Sequence, residues 1–293
     1  MNYTKPDSDK TDALDHREHS LSSVHKALAL LESLAGLESK AGLTELARRV
    51  GIPKPTAYRL LAVLAEAGIV ERRGTDYLLG LRMFELGAAA SRPKSVNLRE
   101  RALPYLEDLY ELTHETVSLA VLDGPEVLYV EKIHGHRSMP TPSHVGGRLP
   151  ATCVAIGKAM LAHASPALVR EILSAPLPRM TRYSVSQPGR LLAELRKVRD
   201  TGIAHDVEEA QVGLTCVAAP IFDSGNRVPA ALSMSGPTYR FDVKTCERAA
   251  SRAAALISTV VMPSLDPQLT DWKPEPAVPG QPAAPIDSPA HQD

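Results

Sequence analysis

Between Leu43 and Leu64 the chain has little conformational choice, because two short runs of helical periodicity are separated by a glycine and a proline-flanked lysine. Leu46, Ala47 and Val50 mark the buried side of the first run, and Ala57, Leu60, Leu61 and Leu64 that of the second. Gly51 can adopt the left-handed conformation that turns a chain sharply after a helix. Pro53 and Pro55 fall at the start of the second helix, where a missing N–H costs nothing. Thr44, preceded by Leu43, stands where the first helix would be capped. An earlier helix is marked by Val24, Ala27, Leu28, Leu31 and Leu34, with Ser22 or Ser23 as its cap. After Gly68, the residues from Ile69 to Leu79 read as two short strands around a turn at Arg72–Arg73–Gly74.

Two helices joined by a glycine turn, followed by a hairpin, describe a winged helix-turn-helix over residues 21–80. Such a motif needs local positive charge to meet phosphates. The whole chain carries a formal net charge of −1, so it is no general polyanion binder. From Gly42 to Arg82, however, seven basic residues face four acidic ones. Lys54 and Thr56 open the second helix of the motif, where backbone amides favour a phosphate. Arg59 lies on its outward face with Tyr58 on the flank, and Arg59 can make a bidentate bond to guanine. Arg72 and Arg73 stand at the hairpin tip and would reach the DNA backbone or minor groove.

The 293 residues suggest two domains. A helical segment near Leu81–Pro93 (81–96 in full) is expected to link them. Residues 97–262 alternate helices with hairpins, not βαβ units, which implies an antiparallel sheet with helices packed on it and an α+β fold overall. Helices are expected at Leu98–Thr113, Val154–Ala164, Pro166–Leu173, Pro188–Thr201 and Asp242–Val261. Strands are expected at Thr116–Leu122, Val127–Ile133, Ile203–Val207, Thr215–Asp223 and Val228–Ser235. Residues 1–20 and the proline- and alanine-rich stretch 263–293 read as disordered. No apolar run is long enough for a membrane helix, and the polar N-terminus is no secretory signal. Cys153, Cys216 and Cys246 form no metal or disulfide pattern. The expected location is cytoplasmic, with no cofactor, metal or membrane partner.

The ordered blocks resemble the isocitrate lyase regulator (IclR) family of bacterial transcriptional regulators. They are Ser23–Leu31, Gly42–Ala47, Pro53–Leu61 and Tyr77–Gly80, then Gly146–Pro150, Gly157–Ala159, Asp206–Glu209, Gly213–Pro220 and Ala231–Gly236. The resemblance spans about residues 21–262. It implies a GAF-like antiparallel effector-binding domain whose pocket is lined by Leu149, Ala155, Ile156, Asp206, Cys216, Ser233 and Ser235. It also implies a homodimer or dimer of dimers on a pseudo-palindromic operator in double-stranded DNA, responding to a small organic acid of a catabolic pathway. Ser233 and Ser235, two apart on a strand, face the same side. The amides at the start of helix Val154–Ala164 would point at a bound carboxylate.

Many family members carry a histidine and a serine or threonine where this chain has Ala151, Thr152, Cys153 and Val154. That departure points to an effector with more apolar body, such as an aromatic or branched acid. Other readings compete, among them a DNA-architectural protein that ignores small molecules, against which the large mixed second region argues. Cys216 with His205 and Asp206 could form a thiol hydrolase, although spacing places no base beside the sulfur. His134, His136 and His144 could bind metal, although a ligand set is incomplete and surface histidines account for them better.

Overall fold

In a computed structural model the chain is described over residues 22–35, 40–90, 95–136 and 139–261. The arm and tail expected to be disordered lie outside the described residues. Two compact units part between Ser91 and Arg92.

The first unit begins with α1 (Ser23–Ala35). Ser22 caps it, its Oγ accepting the His25 N–H at 3.3 Å and its carbonyl accepting that of Lys26. Leu34 is buried and Leu31 packs beside it as expected, but Leu30 joins the core while Val24 is 67% and Leu28 51% exposed, so the inward stripe is only partly the one expected. Apolar residues occupy two sides of α1, and periodicity alone cannot say which side is covered.

Next come β1 (Ala41–Gly42), α2 (Leu43–Val50) and α3 (Lys54–Glu66). Gly42, not Thr44, is the N-cap of α2, and no side chain bonds the cap. The reason is strand pairing. Ala41 and Gly42 hydrogen-bond to β3 (Asp76–Leu79), so the chain passes from strand to helix without room for an intervening cap. Gly51 has φ 71° at the turn. β2 (Val70–Arg73) pairs with β3, giving sheet order β1-β3-β2. Leu30, Leu46, Ala57, Leu61 and Tyr77 form the core of this unit. α4 (Leu81–Ala90) occupies most of the stretch expected as the connecting helix.

In the second unit, α5 (Ser95–Thr113) leads into β4 (Thr116–Asp123) and β5 (Glu126–Ile133). β6 (Arg148–Pro150), a short strand not foreseen from sequence, is followed by α6 (Ala155–Leu161), α7 (Pro166–Leu173) and α8 (Pro188–Thr201). β7 (Ala204–Val207), β8 (Leu214–Ile221), β9 (Ala230–Pro237) and α9 (Val243–Leu256) complete the unit. The six strands run antiparallel in the order β6-β5-β4-β9-β8-β7. One face packs on α5 and α9 through Leu106, Leu119, Leu232, Met234 and Ala250. The other packs on α6 and α8 through Tyr129, Ile156, Met160 and Leu195.

The helix expected over Val154–Ala164 forms over the shorter range Ala155–Leu161. A 3-10 turn at Ala151–Cys153 and an extended Val154 precede the seven-residue α6. The turn lies hard against the helix: a Cβ on Gly157 would sit 2.2 Å from the Ala151 carbonyl oxygen. The β4–β5 register also breaks once. Leu119 opposes Glu131 and Ala120 opposes Tyr129, leaving Val130 as the extra residue of a bulge.

Candidate functional site

On α3, Ala57 and Leu61 anchor the helix inward while Lys54, Tyr58, Arg59 and Val63 are exposed. Thr56 is half-buried. The outward face therefore presents two cations and an aromatic edge on a rigid helix, as base reading requires. The wing arginines Arg72 and Arg73 close β2 beside the turn, each with a local partner. Arg72 donates from Nε to the Gly74 carbonyl at 3.0 Å, and its guanidinium lies 5.9 Å from the Tyr77 ring centre. Arg73 pairs with Glu71 at 2.8 Å, and this bond holds the Glu71 carboxyl below its usual range. Both cations are exposed, so these contacts orient the wing without removing its charge from water.

In the second unit, Leu149, Ala155, Ile156, Asp206, Cys216, Ser233 and Ser235 all line one small cavity of about 20 Å³. Sheet register assembles the polar part. Ser118 opposes Ser233, Ser235 opposes Cys216, and Cys216 opposes Asp206, so hydroxyls, thiol and carboxyl run in rows across β4, β9, β8 and β7. Ser118, Tyr129, Thr141 and Ser143 also line it. Nothing in their local sequence marked them; only the register and the chain crossing from β5 to β6 bring them in.

Burial pushes the Asp206 carboxyl up to about 7. Its Oδ1 accepts the N–H groups of Glu209 at 2.7 Å and Ala210 at 3.3 Å, while Oδ2 is buried without a partner. Behind this wall sits Lys158, 1% exposed, its Nζ bonded to Glu194 at 2.7 Å and Glu209 at 2.5 Å. The lysine ties α6 to α8 and to the turn after β7, where Glu208 has φ 61°. Burial raises the Glu209 carboxyl against the pull of Lys158.

Cys216 is not an activated nucleophile in this arrangement. Burial foremost, then the neighbouring Asp206, raises its thiol well above the ordinary value, so it stays protonated. His205 alternates with Asp206 along β7 and points the other way. It bonds Glu247 at 2.6 Å and lines a separate open groove of about 820 Å³. The imagined pairing of Cys216 with His205 therefore fails on strand alternation. His134 and His144 are exposed, and His136 stacks on Tyr110 with ring centres 5.6 Å apart. Among the described residues no group of three or more acidic, histidine or cysteine side chains is placed to hold a metal. No helix among them is long and apolar enough to cross a membrane.

The family description "IclR helix-turn-helix domain" matches residues 23–74, and "Bacterial transcriptional regulator IclR C-terminal" matches residues 91–260. The chain belongs to the IclR family. This IclR-family chain is accordingly a transcriptional regulator with a DNA-binding helix-turn-helix followed by an antiparallel-sheet domain with helices. It is 39% identical to the HTH-type transcriptional regulator KdgR of Dickeya chrysanthemi, over 78% of this chain and 75% of that protein. The transcriptional repressor IclR of Escherichia coli K12 is 34% identical, over 75% and 81% of the two chains. Among solved structures, an IclR homolog from Microbacterium hydrocarbonoxydans complexed with 4-hydroxybenzoate superposes with TM-score 0.75 at 31% identity, covering 81% of this chain and 98% of that one. The Thermotoga maritima IclR gives 0.68 at 30%, covering 80% and 97%.

Proposed function

We propose that this IclR-family regulator controls a catabolic operon in the cytoplasm, and that a small organic acid bound in its second unit sets its operator affinity. The observation that carries the proposal is the convergence of seven side chains from β6, α6, β7, β8 and β9 on one cavity. Leu149, Val154, Ile156 and Leu214 give that cavity apolar walls, and the serines, Cys216 and Asp206 give it a polar row. A few placed polar groups in an apolar setting are what a small-molecule site requires. The apolar share favours an acid with a hydrocarbon body, aromatic or branched.

Lys54, Thr56, Tyr58 and Arg59 on α3, with Arg72 and Arg73 on the wing, are assigned to DNA. A homodimer or dimer of dimers is assigned from exposed apolar side chains: Val24 and Leu28 on α1, and Leu81 and Phe84 on α4, the last 73% exposed. These side chains are offered as the surface at which the copies associate. Two-fold symmetry would set two α3 helices about 34–36 Å apart on a pseudo-palindromic operator.

The test is fluorescence anisotropy of the full chain on its own upstream DNA, with and without 4-hydroxybenzoate, pyruvate or D-gluconate. At least one acid should change operator affinity. Ser233→Leu, which fills the cavity, should abolish the response and leave DNA binding intact. Operator binding indifferent to all three acids would overturn the effector assignment.

A further inference from the structure

Hydroxyls, a thiol and an acid surround the cavity, but its lining includes no lysine, arginine or histidine. A carboxylate moved into such a place loses its hydration and needs a compensating positive partner. Lys158 is committed elsewhere, because two carboxylates already hold its ammonium. Lys132 is in a different position. Its Nζ donates to the Thr141 hydroxyl and, at 2.6 Å, to the Ser143 carbonyl, both neutral acceptors. Thr141 and Ser143 are themselves part of the cavity wall.

The bulge in β5 is what brings Lys132 to this side. In an unbroken strand Tyr129 and Lys132, three apart, would face opposite ways. Val130 is the extra residue, and after it the alternation is reset. Glu131 then turns to Arg99 of α5 at 2.7 Å, and Ile133 packs with Val130 against the α5–α9 core. Lys132 is left on the cavity side with Tyr129, directly opposite Ser118, which opposes Ser233. A cation thus begins the same row that carries the hydroxyls.

The wall that Lys132 holds is also the one able to give way. Residues 139–147 cross from β5 to β6 without helix or strand. Besides Lys132, this strap is held by the Gln211 amide to the Pro140 carbonyl at 2.8 Å and by backbone bonds of Gly146 and Gly147 to Tyr129. A cavity of about 20 Å³ has room for a water molecule and not for an organic acid, so admission of a ligand must displace part of the wall.

Resting on the effector-site reading above, we propose that Lys132 recognises the effector's carboxylate, giving up Thr141 and Ser143 of the strap as it does so. The exchange replaces two neutral acceptors by an anion, so each of the two buried charges gains the counter-charge that offsets its desolvation. Burial lowers the Lys132 ammonium from its ordinary range, a cost that a carboxylate partner relieves. Ligand recognition and opening of the strap become one event at one side chain.

Calorimetry and thermal-shift measurements on the full chain test this with pyruvate, 4-hydroxybenzoate and D-gluconate, each against its neutral amide. At least one acid should bind while its amide does not. Lys132→Met should weaken that acid about tenfold or more, and Lys132→Arg should restore most of the affinity. Without ligand, Lys132→Met should also speed amide hydrogen exchange within residues 139–147 and leave α6 and β8 protected, which separates a loosened strap from a misfolded domain. Undiminished acid binding by Lys132→Met, alongside loss in Ser233→Leu, would overturn the role of Lys132 and keep the site. Acid binding untouched by Ser233→Leu, or no binding of any of the three acids, would overturn both.

Discussion

Lys158 shows how much one side chain can decide. Between Gly157 and Ala159 it looks like an ordinary helical lysine, yet it is buried with Glu194 and Glu209, which lie 36 and 51 positions further along the chain. Lys158→Met would leave those carboxylates without their shared cation and should destabilise the second unit by about 3–5 kcal/mol, read as a lowered urea midpoint. An unchanged midpoint would mean that water already reaches the pair. Asp206 makes the opposite prediction. Its folded carboxyl titrates at about 7, against about 3.9 for a free aspartate. The native state therefore holds a proton that the unfolded chain releases between those values. The stability this gives is full below pH 4 and lost as pH rises through 7. Asp206→Asn, permanently neutral, should be more stable than the parent at pH 8 by about 2–4 kcal/mol, with the gap shrinking steadily as pH falls to 4. A gap independent of pH would contradict the burial argument. Neither property is legible in the sequence, because one depends on distant carboxylates that the fold brings near and the other on how deeply the fold buries the carboxyl.

At the scale of elements, turns and alternation are legible and fine boundaries are not. The residues that terminate helices, Gly51 and Gly68, mark their turns correctly, since a left-handed backbone is a local demand. A Cβ on Gly51 would meet nothing within 4 Å, so Gly51→Ala should cost only the left-handed strain, about 1–2 kcal/mol. β1 and β6 escape notice because strands of two and three residues leave no periodicity to read. The 3-10 turn before α6 is equally silent: three residues leave no period to read, and it is packing against Gly157 that reveals it. The seven cavity residues came through family resemblance, whereas Ser118, Tyr129, Thr141 and Ser143 needed the sheet register. The outward face of α3 was readable from its apolar stripe. Arg59→Ala should flatten operator preference at one base pair by about 1–3 kcal/mol in competition binding, without altering the thermal shift given by an effector acid. Loss of both together would indicate unfolding of the variant.

For the molecule as a whole, two units of different chemistry share one chain with a net charge of −1. The near-neutral balance gives the protein no general pull toward DNA, and the local excess of cations in the first unit directs contact to one surface. Regulation by the proposed acid would require that the free energy of its binding in one unit be felt at the other, and thermodynamic linkage makes the demand symmetrical. If an acid changes operator affinity by some factor, saturating operator DNA must change the affinity for that acid by the same factor, about 5–150-fold for an ordinary allosteric protein. Both directions can be measured on one preparation, by titrating operator with the acid present and the acid with operator present. Phe84→Glu adds a control at the proposed association surface. It should lower operator affinity and shift the mass seen by light scattering toward the monomer, while acid binding to the second unit stays within about twofold, a factor worth less than RT ln 10 or 1.4 kcal/mol. Unequal factors in the two directions would mean that the operator and the acid do not act on a common pair of states.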